Sequence, residues 1–265
     1  MALEINNLAR LVLAWFWLVA WIGLAPGLGC AGVLLLLLPA VTLVAWNMLE
    51  PAVMRRRAFV TRYLLPGSLL SRWLSRHLLL SLWQILKSMV LVTVLLVTAL
   101  QWPAWVLLLL LADTLLALGL HHLLLHLLRR QARPEVAGVL ARRLLVWGNA
   151  GLLVAAVAAG ELWTEHPDYR PLDWSGTLDE ALSSVQVGCD LLAPLARAGA
   201  GQEAIAWRLM QLGMEGISSE YLGLAAWVIF LAASTLAIWA WSRLLSGSLI
   251  DGCGLALLAR EHDDG

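Results

Sequence analysis

Residues 78–128 read LLLSLWQILKSMVLVTVLLVTALQWPAWVLLLLLADTLLALGLHHLLLHLL, two long apolar runs hinged at Gln101-Trp102-Pro103. Each run is long enough to cross a bilayer core, which is roughly 30 Å thick and takes about 20 apolar residues in a helix. Both are rich in Leu, Ala and Val and lack the alternation of barrel strands. Only helices and closed barrels satisfy every backbone group in hydrocarbon, so these runs are read as helices. Working outward from them, the same criterion gives spans at about 8–25, 28–49, 78–100, 103–128, 144–163 and 221–243.

The expected fold class is therefore all-α, a polytopic α-helical membrane protein of about six transmembrane helices with a small outer helical insertion between helices five and six. Residues 1–163 hold the first five spans and two arginine-rich loops. Residues 164–220 form an acidic extracytoplasmic insertion, 221–245 the sixth span and 246–265 a cytoplasmic tail. Composition agrees: 61% of the chain is hydrophobic and only 14% charged, too little charge to clothe a soluble protein of this size.

Local signals refine this outline. Pro26-Gly27 and Trp102-Pro103 mark tight turns between spans, and Pro39 is expected to kink span two. Gly148, Gly151, Ala155 and Ala158 share one face of span five, which suits close helix contact and predicts the most enclosed helix of the bundle. Trp46, Trp102, Trp105, Trp147 and Trp163 sit at span ends, where an interfacial belt belongs.

Charge orients the chain. Arg55, Arg56, Arg57, Arg62, Arg72 and Arg76 follow span two, and Arg129, Arg130, Arg133, Arg142 and Arg143 follow span four. Both gaps follow an even-numbered span and share a side, which the positive-inside rule makes cytoplasmic. Arg10 and Arg243 agree, so both termini are expected inside a bacterial-type inner (plasma) membrane. Leu28-Gly29-Cys30 resembles the end of a lipoprotein signal, but Gly27 stands where such a signal wants an aliphatic residue. The first span is therefore read as uncleaved. Arg55, Arg56, Arg57, Arg129 and Arg130 are also candidates for lipid-headgroup contact.

The outer region carries the opposite sign, with ten acids and three arginines over 161–220. Thr177 to Glu180 reads as a capping box. It opens a helix through Leu182, Cys189 and Ala196 that Gly199–Gly201 should end, and a shorter helix follows to Gly213. Two such helices seldom make an independent core, so they are expected to lie across the outer mouth of the bundle or against a partner. Cys30 and Cys189 fall on the same outer side, where an oxidising compartment permits a disulfide.

Ionisable groups inside the membrane default to functional candidates. Lys87 and Asp113 lie about 22 Å and 17 Å below the turn at Trp102, close enough in depth to pair if spans three and four face each other. Gln84 and Ser88 join His77 and Ser81 in a polar stripe flanked by Lys87, and His121 shares an arc of span four with Asp113. His77, His122 and His126 reach similar depths and form a candidate metal or haem site. The di-iron hydroxylase pattern of about eight histidines is out of reach, since the chain has six.

No phosphate-binding loop, nucleophile elbow, HExxH or CxxC occurs. No cofactor is called for, and nothing provides a nucleic-acid platform. The leading expectation is a non-enzymatic accessory or assembly subunit of a larger membrane complex. Its partners would be the lipid bilayer and other membrane subunits or further copies of the chain. The alternatives are a small-solute or ion transporter using Lys87 and Asp113, and a metal- or haem-binding redox subunit.

Overall fold

The computed structural model describes residues 2–63, 78–161, 163–164, 167–183, 185–214 and 220–250. The side chains of residues 2–5, 57, 60–61, 78–79, 134–135 and 213–233 lie outside that description. His77, Arg72, Arg76, the Arg57 side chain and Cys253 therefore fall outside the described residues.

Eight helices occur, and no strand is found among the described residues: α1 (Ala2–Leu24), α2 (Cys30–Tyr63), α3 (Leu78–Ala99), α4 (Ala104–Arg129), α5 (Pro134–Glu161), α6 (Trp174–Ser183), α7 (Ala193–Met214) and α8 (Glu220–Ser248). By length and composition α1 to α5 can each cross a membrane. The chain is thus an α-helical membrane protein. α2 passes unbroken through Pro39 and Pro51; at 34 residues it is about 51 Å long, well beyond one bilayer core.

α8 is the hub. It packs against α1, α2, α3, α5 and α7, and its residues Ala237, Ile238, Ala240, Trp241, Leu244 and Leu245 are buried. Around it α3 lies against α2, and α4 lies against α5 and α1. Helices α3 and α4 are consecutive, share a turn and both touch α1, yet α3 packs chiefly on α2 and α8 and α4 chiefly on α5. Span five is not the enclosed helix that its small residues predict. Gly148, Gly151 and Ala155 are exposed, and α5 buries Ala141, Leu145, Leu153 and Val157 instead.

Several tryptophans act as donors between helices rather than as interfacial anchors. The indole of Trp15 donates to Leu107 O at 2.9 Å, that of Trp17 to Leu36 O at 3.1 Å and that of Trp21 to Leu96 O at 3.0 Å. A helical carbonyl has a second lone pair for such a bond, so α1 is pinned to α4, α2 and α3 without breaking any helix. Trp105 likewise packs onto Gly160, where a Cβ would run into its ring. Trp163 is exposed just beyond the end of α5, as a belt requires, whereas Trp147 is exposed midway along that helix and not at its end.

Gly247 marks the closest approach of α8 to α2, because a Cβ there would strike the Leu43 backbone carbonyl. Backbone cannot yield as a flexible side chain does. Gly247→Leu is expected to separate the two helices and to cost about 1–3 kcal/mol, the usual range for overpacking. It should appear as a lowered unfolding midpoint in detergent; an unchanged midpoint would refute the contact.

The described residues between 163 and 214 fold over one end of the bundle. α6 and α7 pack together, and α7 lies against α8 and α3. The α6 cap is Asp173, not the Thr177–Glu180 box: Asp173 Oδ1 accepts from Gly176 N at 2.7 Å, and its Oδ2 accepts from Ser175 Oγ at 2.8 Å. Thr177 is fully buried and accepts from Arg208 at 2.9 Å. α6 ends at Ser183, and α7 runs straight through Gly199 and Gly201. Those glycines give clearance rather than termination. A Cβ at Gly199 would press on Val97 and Gln101, and one at Gly201 on Leu178.

A disulfide joins Cys30, at the start of α2, to Cys189. Beside it Gly188 N donates to Ala25 O at 3.2 Å. A Cβ at Gly188 would collide with the carbonyls of Pro26 and Leu28. This contact pulls residues 185–192 out of helix and splits the single periodic run into two helices. Of the two placements expected for this pair of helices, across one end of the bundle or against a partner, the contacts of α7 with α3 and α8 give the first.

Candidate functional site

The polar residues inside the bundle form two connected groups strung along α5 and α8. Midway along α4, Asp113 is only 4% exposed. Its Oδ2 accepts from Asn149 Nδ2 of α5 and from Trp241 Nε1 of α8, both at 3.0 Å. Asn149 Nδ2 also reaches Ser242 Oγ at 3.3 Å. One carboxylate oxygen thereby ties three helices together.

One turn further along α8, Ser246 begins the second group. Its hydroxyl accepts from Asn47 Nδ2 at 2.8 Å and lies 3.4 Å from Arg142 O, to which it can donate. Asn47 Oδ1 accepts from Arg243 at 2.9 Å, and the Arg243 guanidinium covers the Trp239 ring at 4.9 Å. Glu50 and Arg142, 4% and 5% exposed, form a forked ion pair between α2 and α5. In it Arg142 Nε donates to Glu50 Oε2 at 3.2 Å, and a terminal guanidinium nitrogen donates to Oε1. Bidentate geometry of this kind fixes orientation as well as distance.

Lys87 and Asp113 do not pair. Because α3 packs on α2 and α8 while α4 packs on α5 and α1, the two residues share a depth but not an interface. The Lys87 ammonium instead lies 4.8 Å from the centroid of the Trp83 ring. Gln84 and Ser88 do turn inward and are buried, but Ser88 Oγ donates to its own helix, to Gln84 O at 2.7 Å and Ile85 O at 2.9 Å. Thr114 does the same with Leu111 O at 2.6 Å. His121 is buried beside His122, with ring centroids 6.2 Å apart, and His126 is exposed. No group of three metal-ligating side chains forms among the described residues, and His77 lies outside them.

At the arginine-bearing end, Arg55, Arg129 and Arg130 are exposed, and Arg56 is half-buried. Arg55 donates to Pro51 O, which occupies its Nε but leaves the guanidinium face outward. Arg142, grouped with these residues by the sequence, is instead buried.

At the other end a cavity of about 470 Å³ lies under the cap, between α7 and the turns at Pro26 and Gln101. Glu203 and Trp207 of α7 line it, with Tyr169 from the loop before α6. Burial first, and then the nearby Glu161 charge, push the Glu203 carboxyl up to about 7. Burial, followed by the charges of Glu180 and Glu203, also raises the Tyr169 phenol.

Asn47, Glu50, Arg142, Asn149 and Ser246 were not singled out as site residues by sequence reasoning. A usable signal existed for two of them, since Asn47 and Asn149 are amides inside predicted spans. Glu50 and Arg142 sit just beyond span ends, where a charged residue needs no explanation.

No family model, curated protein or solved structure matches this chain.

Proposed function

We propose that this chain is a non-enzymatic subunit of a larger membrane complex. It would cross a bacterial-type inner membrane six times, with α8 as the sixth span, both termini inside and the cap outside. The disulfide at the cap end favours an oxidising compartment there. The arginines at the far end of α2 and α4 favour the cytoplasm on that side.

The observation that carries the reading is Lys87. It lies mid-span on α3, is half-buried, and finds no carboxylate among the described residues. Its companion Trp83 is 54% exposed, and Leu86, Met89 and Val90 around it face outward. A lysine turned to lipid at that depth costs roughly 2.5–3.5 kcal/mol on insertion scales. A partner helix carrying an acid would remove that cost. Of the described acids within this chain's own spans, Glu50 and Asp113 are buried and Glu161 lies at the very end of α5, far from the depth of Lys87, so the matching acid belongs to a different polypeptide rather than to a second copy. The small, open face of α5 offers further room for close helix packing.

The bonds that hold Asp113 favour a fastening role over ion transport, since both donors belong to packed helices. The test is co-isolation in mild detergent with a photo-crosslinker at Leu86. Wild-type protein is expected to carry a second membrane polypeptide. Lys87→Met should lower its recovery roughly tenfold or more, as loss of a charged hydrogen bond of about 1.5–3 kcal/mol implies. Lys87→Arg should retain it. Equal recovery with Lys87→Met, or a crosslink only to a second copy of this chain, would overturn the proposal.

A further inference from the structure

We propose that the cavity beneath the cap binds a small organic cation, a primary ammonium carried on a compact apolar body. Its volume of about 470 Å³ falls within the roughly 300–1,000 Å³ of small-molecule sites. The site is separate from the outward face of α3.

The lining sets the ligand chemistry. Along α7, Ala196, Ala200 and Ala204 recur every four residues and leave open space where larger side chains would fill it. The same helix presents Glu203 and, one turn on, Trp207. Glu203 is the one charged side chain lining the cavity among the described residues. Gln101, at the α3–α4 turn, positions it: with its amide nitrogen toward Glu203, Gln101 donates to Oε2, while its own oxygen accepts from Ala200 N at 2.9 Å. A carboxylate held this way keeps further lone pairs for a ligand. Trp207 and Tyr169 supply aromatic faces for the cationic head and the apolar body. The wider face adds attraction, since ten acids oppose three arginines over 161–220.

Proton linkage follows. Among the described residues the Glu161 charge of α5 bears on Glu203, and Glu203 acts in turn, with Glu180 of α6, on Tyr169 of the adjoining loop. A carboxyl raised from 4.5 to about 7 favours the docked cap while protonated, and that contribution fades as pH rises through 7. A bound ammonium takes over the neutralising role of the proton, so binding should tighten over the same interval.

The test uses full-length protein in detergent and three probes of like shape, followed by calorimetry: 2-phenylethylammonium, 2-phenylethanol and 3-phenylpropanoate. The cation is expected to bind at least tenfold more tightly than either other probe, and more tightly at pH 8 than at pH 6. Glu203→Gln should abolish the preference, and Trp207→Leu should weaken cation binding severalfold. The Cys30–Cys189 disulfide, read by gel mobility, reports that each variant has kept its cap. Equal affinity for the three probes, no binding of the cation at millimolar concentration, or an undiminished preference in Glu203→Gln would each overturn the proposal. The wild-type pH comparison does not depend on any variant folding: flat affinity from pH 6 to 8 would also overturn it.

Discussion

Arg142→Met is expected to destabilise the bundle by about 3–5 kcal/mol, because it leaves the Glu50 carboxylate buried and without its counter-ion. Both partners are almost wholly shielded, and the pair joins α2 to α5 beside the amide–hydroxyl chain through Asn47 and Ser246. The neighbouring Arg243 cannot substitute, since it already donates to Asn47 and lies on Trp239. Glu50→Gln alone should be similarly damaging, because it strands the guanidinium. The double replacement Glu50→Leu with Arg142→Met removes both charges and should recover most of the loss, since a buried pair can be exchanged for apolar residues at little net cost. Unfolding midpoints and membrane abundance of the three variants measure this. A double variant as weak as either single would mean that the ion pair itself is needed; singles indistinguishable from wild type would mean that the pair is not formed.

Cys30→Ser is expected to loosen the cap by about 2–5 kcal/mol, the usual consequence of deleting a native disulfide. The bond joins residues separated by 159 positions, but most of the intervening chain consists of membrane-spanning helices that stay inserted when the cap lifts. The constraint lost is thus that of a shorter effective loop, which places the effect nearer the lower bound. Gly188, Gln101 and the α7–α8 packing remain to hold the cap. Hydrogen exchange of α6 and α7 amides should therefore accelerate together, while α2, α3 and α8 amides keep their protection. Acceleration throughout the bundle would show that the cap and the spans unfold as one unit. No change in α6 and α7 would show that the bridge carries no stability.

The sequence determined that this is a helical membrane protein, because an apolar run either is or is not long enough to cross hydrocarbon. Pro26-Gly27 and Trp102-Pro103 marked real turns for an equally local reason, the absent proline N–H, which cannot continue a helix. The arginine-bearing helix ends were legible as charge along the chain. Gln84 and Ser88 were legible as the inward face of α3, since helical spacing fixes direction around a single axis. Asp113 was visible as a buried acid, but its partners were not.

Tertiary structure decided everything that depends on which helices are neighbours. Lys87 and Asp113 lie at similar depths, yet α3 and α4 part after their shared turn, so that Asp113 meets α5 and α8 while Lys87 stays on the outward side of α3 beside Trp83. Depth follows from 1.5 Å per residue; adjacency follows from the packing of all the helices at once. Thr177 has the sequence signature of a cap but is a buried acceptor for Arg208, and Gly199 and Gly201 have that of a helix end but give clearance for Val97, Gln101 and Leu178. Glycine serves both ends equally well, because a missing Cβ frees the backbone and also lets another helix come close. Only the assembled bundle, by bringing Gly188 against Pro26 and Leu28 and Cys189 against Cys30, chose between them.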